Sequence, residues 1–162
     1  MASGSARQRR ARFAAVTGEG PHSVVVTPVE RDVVDVMFLR TTDDVEAFAP
    51  LWQRVEHVVG TRGRKFYGAF FVDAHEYWVC VQTREGDDAS ALGLESGTLP
   101  GGPYVRARLR GEPPEVYQRI APTFEAMARR YPPDPTRPGL EFYRQRDEID
   151  CLLPVVVAPP SH

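Results

Sequence analysis

Glu141 is the residue of this chain best equipped to do chemistry. It stands in "PGLEFY", between Leu140 and Phe142. A carboxylate set among apolar side chains can hold a cation, accept a hydrogen bond or act as a general base toward water. The competing reading is an ion pair with an arginine across a sheet. Strand alternation selects the company it keeps. In "PYVRARLR", Val105, Ala107 and Leu109 take one face, and Tyr104, Arg106, Arg108 and Arg110 take the other. In "LEFYR", Leu140 and Phe142 are assigned to the helix-covered face, which puts Glu141 and Tyr143 on the opposite one. The same rule in "KFYGAFF" sets Lys65, Tyr67, Ala69 and Phe71 beside them. The expectation is one sheet face that carries Glu141 together with Tyr67, Tyr104 and Tyr143. Their rings would stack and their hydroxyls would orient a ligand; ordinary strand composition is the alternative. Trp52 and Phe124 hold matching helix positions and either join the core or wall a cleft.

Other chemistry finds no support. The sequence has no P-loop, no GxSxG elbow and no HExxH. His22, His57, His75 and His162 share no metal-ligand spacing, and two cysteines do not make a zinc site. Cys80 and Cys151 lie in the apolar runs "YWVCVQ" and "DCLLPV", as buried reduced thiols do.

The elements that must position Glu141 come twice. Leu39-Arg40 matches Leu109-Arg110, Ala49-Pro50-Leu51-Trp52 matches Ala121-Pro122-Thr123-Phe124, and "RGRKFY" echoes "RPGLEFY". In the first half, an extended stretch from Val24 is followed by a helical pattern at Phe48, Leu51, Trp52 and Val55. Asp43 and Glu46 have the spacing of a capping box, and Pro50 is expected to kink or restart the helix. A hairpin follows from "KFYGAFFV" to "EYWVCVQT". The second half runs strand, helix over "GEPPEVYQRIAPTFEAMARRY", and two more strands. This predicts an α+β fold: a duplicated strand–helix–strand–strand unit, a mainly antiparallel sheet with two helices, and a central cleft on a pseudo-two-fold axis. Residues 1–23 read as a flexible leader and 24–157 as one domain. Its halves are about 24–83 and 102–157, joined by a polar, Gly-rich linker at 84–101, and 158–162 form a tail.

The 162 residues suit one domain, and 42% hydrophobic with 26% charged residues is ordinary for a globular protein. Fifteen prolines and thirteen glycines argue against a helical bundle. No apolar run approaches the ~18 residues of a membrane span, and no signal-peptide pattern opens the chain. A cytoplasmic address follows. Arg7, Arg9, Arg10 and Arg12 stand in a stretch without acids, while the rest of the chain is net acidic. The leader arginines are thus the one weak pointer to nucleic acid; an acidic body favours neutral or cationic ligands.

"LPGGPYVRARLRG", a helix with Phe124, "PGLEFY" and "DEIDCLLPV" together resemble the gyrase-inhibitor-like (GyrI-like) family, over roughly residues 24–157. The same module forms effector-binding domains of some transcription regulators. The resemblance implies the duplicated fold above, with Glu141 at the base of a central pocket and Tyr104 in a matching aromatic position. It further implies Trp52, Tyr67, Phe70, Phe124 and Tyr143 as ligand contacts, with no metal or cofactor. No helix-turn-helix precedes the module, which reads as a standalone member. Some such members sequester a compound or a protein partner. Others hydrolyse the cyclopropane of DNA-alkylating cyclopropanoid compounds. The implied ligand is a polyaromatic or electrophilic small molecule, with Glu141 and Tyr104 as the catalytic pair for self-protection. A non-catalytic binder or a protein-interaction inhibitor is the alternative. The sequence sets no oligomeric state.

Overall fold

The computed structural model describes residues 24–42 and 45–156. The leader arginines, Asp43 of the capping box and the tail at 158–162 lie outside the described residues. Twelve elements follow one another: β1 (Val26–Arg31), β2 (Val34–Thr42), α1 (Val45–Val59), β3 (Phe66–Phe71), β4 (Glu76–Gln82), α2 (Ala89–Leu92), β5 (Glu95–Leu99), β6 (Gly102–Arg110), α3 (Glu115–Gln118), α4 (Ile120–Arg130), β7 (Gly139–Gln145) and β8 (Glu148–Pro154). The strands form one eight-stranded sheet in the order β1-β6-β8-β7-β3-β4-β2-β5. Every neighbouring pair is antiparallel. The fold is α+β, and the duplication is plain. β2-α1-β3-β4 repeats as β6-α3-α4-β7-β8, and β3 and β7, one from each half, meet at the centre.

Both long helices form because an apolar stripe needs a sheet to cover it. In α1 that stripe is Phe48, Trp52 and Val55, and in α4 it is Ile120, Phe124 and Met127; all are buried in one helix-side core. Pro50 sits on the exposed side of α1, and the helix continues through it without interruption. The second helix is less regular than its sequence pattern predicts. It divides at Arg119 into α3 and α4. Pro122 has no N–H to continue the earlier turn, yet it is tolerated in the first turn of α4.

The stretch 84–101 is not the irregular linker the composition indicates. It holds α2 and β5. Asp88 caps α2 by accepting from the Ala91 N–H at 3.2 Å, and Gly93 ends it in the left-handed conformation. β5 then pairs with β2 from Val34↔Leu99 to Phe38↔Glu95. Gly97 is required there, because the Phe38 ring lies where its Cβ would be.

The sheet curls until its two edges approach each other. β1 and β2 lie toward opposite edges, yet only Asp32 and Val33 join them; β5 and β6 are likewise joined by Pro100 and Gly101 alone. Arg31, on edge strand β1, donates to the Tyr67 hydroxyl on central strand β3 at 2.9 Å. The concave face therefore has a core of its own, containing Val36, Phe38, Tyr67, Leu99, Tyr104, Leu140 and Leu152. The helices cover the convex face. Pro28 is accommodated because β1 is an edge strand.

Candidate functional site

The curl corrects the assignment of faces. Val105, Ala107 and Leu109 do face the helices. Leu140 and Phe142 do not; they pack on the concave side with Tyr67, Ala69 and Tyr104. Glu141 and Tyr143 consequently lie under the helices, on the opposite side of the sheet from Tyr67 and Tyr104. Alternation failed in β3 and β7 because a central strand of a doubly covered sheet is apolar on both sides. The "FY" echo between the halves is likewise not a structural equivalence. Phe66 faces the helices and Phe142 does not.

Glu141 is fully buried. One carboxylate oxygen, Oε1, accepts the Tyr143 hydroxyl at 2.6 Å and the Tyr77 hydroxyl at 3.1 Å. Gly68 makes room for this arrangement. A Cβ there would stand 2.7 Å from Oε1 and closer still to the Tyr77 hydroxyl. Aromatic rings enclose the group. Phe48 stacks on Tyr77 at 4.4 Å, the Trp52 ring meets Tyr143 edge-on at 5.2 Å, and Tyr117 meets Tyr143 at 6.3 Å. Phe124 packs against Phe70 at 5.1 Å. Trp52, Phe70, Phe124 and Tyr143 thus gather with Glu141 on one side of the sheet.

Two cavities reach residues of this cluster, and Glu141 lines neither of them. One, of about 310 Å³, lies at the β3–β4 turn and is lined by Phe48, Phe70, His75 and Tyr77 among others. The other, of about 180 Å³, lies beyond the end of α1 and is lined by Phe66, Tyr143 and Arg64 among others. Each contains one of the two tyrosines that bind Glu141.

Tyr104 and Tyr67 have other partners. The Tyr104 hydroxyl donates to the Pro100 carbonyl at 2.6 Å, and the Arg137 guanidinium lies 4.8 Å from its ring centre. The Tyr67 ring stacks on Phe142 at 4.7 Å, and Arg31 lies over both rings. Burial raises the pKa of both phenols, against the opposing pull of Arg137 on Tyr104 and of Arg31 on Tyr67. Both stay protonated near neutral pH. Cys80 is buried on the concave side, and burial pushes its thiol up. Cys151 is buried on the helix side, directly across the β7–β8 ladder from Glu141.

Sequence reasoning missed Tyr77, Gly68, Phe48 and Tyr117. Tyr77 alternates with Val79 and Val81 in β4, a pattern that marks one inward face. Gly68 shows no sequence signal beyond its place within a strand. Among the described residues no group of three or more His, Cys, Asp or Glu gathers as a metal site would need, and no helix is long and apolar enough to cross a membrane.

No protein-family model matches the sequence, and no curated protein matches it. Solved structures do share the fold. An integron cassette protein from the mobile metagenome of Vibrio cholerae is similar with a TM-score of 0.63 at 19% identity, over 80% of this chain and 95% of that one. The structure of SAV2435 bound to tetraphenylphosphonium gives 0.60 at 15% identity, over 81% of this chain and 93% of that one. The C-terminal domain of EcmrR gives 0.55 at 10% identity, over 84% of this chain and 99% of that one. These likenesses show a shared fold over most of the chain.

Proposed function

We propose that this protein binds a lipophilic aromatic small molecule on the helix side of its sheet, with Glu141 as the charged anchor. The observation that carries the reading is the carboxylate itself. It is fully buried, two tyrosine hydroxyls converge on one of its oxygens, and rings surround it. Burying a carboxylate is costly unless something offsets the lost hydration. A cationic or hydrogen-bonding ligand returns part of that loss, and aromatic walls favour a flat or multi-ring body. The cavity at Phe48, Phe70 and Tyr77 is the proposed entry, because Tyr77 both lines it and donates to Glu141. The similar fold of SAV2435, described as bound to tetraphenylphosphonium, supports the choice of a lipophilic aromatic cation as ligand class.

A hydrolytic reading uses the same site. The 2.6 Å pair of Glu141 and Tyr143 is a carboxylate beside a phenol, which is the equipment for moving a proton from water. Glu141 takes a proton from water as the water oxygen bonds to a cyclopropane carbon. The ring C–C bond breaks, and its electron pair passes into the conjugated dienone, which becomes a phenolate and is then protonated. Tyr143 or Tyr77 holds the phenolic position in this reading, since Tyr104 lies across the sheet. This would make the protein a self-protection enzyme; without turnover it acts by sequestration.

The test is titration with tetraphenylphosphonium. Glu141→Gln is expected to weaken binding by about tenfold or more, the loss of one buried charge–charge contact. Tyr104→Phe should leave the affinity unchanged. Equal affinity of wild type and a folded Glu141→Gln variant would overturn the assignment. Substoichiometric protein mixed with a cyclopropanoid alkylator separates the two modes. Many equivalents of hydrated product mean catalysis, and a stoichiometric plateau means binding.

A further inference from the structure

The cavity beyond the end of α1 differs chemically from the one at the β3–β4 turn. Its lining includes Arg64, Arg144 and Arg146, with no carboxylate among the described lining residues, and Phe66, Tyr143 and Thr61 complete its walls. Arg64 is the decisive member. Its side chain is only 2% exposed. Its terminal nitrogens are engaged: Nη1 and Nη2 donate to Asp87 at 3.3 and 2.8 Å, and Nη2 also donates to the Gln82 carbonyl at 3.3 Å. Its Nε is buried and meets no acceptor among the described residues. Buried donors without acceptors are rare in folded proteins, and each costs a full desolvation penalty. An oxygen brought by a ligand removes that penalty.

Size and walls narrow the ligand. About 180 Å³ suits a single-ring molecule. The rings of Phe66 and Tyr143 offer aromatic contact. Charge selects the polar end. Asp87 already shares the charge of Arg64, and Arg144 is turned to Glu148 at 2.8 Å. Arg146, on the exposed β7–β8 turn, adds a further positive charge. The C-terminal end of α1 brings about half a negative charge to the Thr61 side, which leaves the Arg64 and Arg146 side for an anion. We propose that this cavity is a second small-molecule site, and that it takes the carboxylate of a small aromatic acid, with the ring against Phe66 and Tyr143 and a carboxylate oxygen on Arg64 Nε. The site does not rest on Glu141 binding a ligand, though Tyr143 is common to both.

Benzoate is the probe, followed by ligand-observed NMR and calorimetry on the full chain. Saturable one-to-one binding with a millimolar or tighter Kd is expected, with benzylamine far weaker. Arg64→Lys keeps a charge opposite Asp87 but deletes the Nε donor. It should weaken benzoate by about tenfold while tetraphenylphosphonium affinity holds. Should Arg64→Lys fail to fold, Arg146→Ala on the exposed turn is the second variant, with an expected loss of about twofold to fivefold. The proposal is overturned if wild type shows no saturable benzoate binding, or if benzylamine binds as well. It is equally overturned if folded Arg64→Lys, or Arg146→Ala in its place, binds benzoate unchanged. Failure here with tetraphenylphosphonium still bound would sink this site alone.

Discussion

Gly68 and Glu141 face each other across the central β3–β7 ladder, and the carboxylate occupies the space that a side chain on Gly68 would take. The relationship is steric rather than conformational. Gly68→Ala would place a methyl group 2.7 Å from Glu141 Oε1 and against the Tyr77 hydroxyl. Tyr77 is pinned by its stack with Phe48, so it cannot swing away cheaply. The expected cost is about 1–3 kcal/mol of stability, read as a lower urea midpoint, together with loss of tetraphenylphosphonium binding. An alanine variant as stable as wild type would show that the hydroxyl and carboxylate are not packed on Gly68.

The two tyrosines that share Oε1 should be energetically coupled. Each of Tyr77→Phe and Tyr143→Phe removes one donor, at about 1 kcal/mol. With both donors on one oxygen, deleting one lets the other bind more strongly. The double variant should therefore cost more than the two single variants together, by about 0.5–1 kcal/mol. Strict additivity in a denaturation cycle would mean that the hydroxyls act on separate acceptors.

The parts of the fold that sequence made legible are those with a one-sided apolar pattern. Phe48, Trp52 and Val55 mark α1, and their counterpart Phe124 marks the duplication. β5 escaped because Glu95, Ser96, Gly97 and Thr98 have no apolar alternation; β5 is defined by its pairing to β2. The site was half legible. Glu141 and Tyr143 share one side of the sheet with Trp52, Phe70 and Phe124, whereas Tyr67 and Tyr104, expected beside them, lie across it. Alternation fixes which residues share a face within a strand. It does not say which face is which when Leu140 and Phe142 are buried on the far side of a curled sheet. Tyr77 could enter only through a contact 64 residues away in sequence, which no local pattern carries.

Acid sensitivity should centre on Asp134, at the loop before β7. Oδ1 accepts from the Thr136 hydroxyl at 2.7 Å and from its N–H at 3.0 Å, and Oδ2 accepts from Arg137 Nε at 2.9 Å. The hydrogen bonds from Thr136, with that of Arg137, hold the carboxyl down from 3.8 to about 2. Arg137 in turn donates to the carbonyls of Gly101, Pro103 and Val155, tying the loop to the start of β6 and the end of β8. A carboxylate whose folded pKa is depressed adds stability that is fully present above its unfolded value. That stability is lost as pH falls through the folded value. The contribution of Asp134 should thus be constant above about pH 4 and fade toward about pH 2. Asp134→Asn removes this titration. Its melting temperature should lie a few degrees below wild type at pH 7, and the gap should close as the pH approaches about 2. A gap that stays constant from neutral pH down to about 2 would show that the loss is one of shape, and that the Asp134 charge does not hold Arg137 in place.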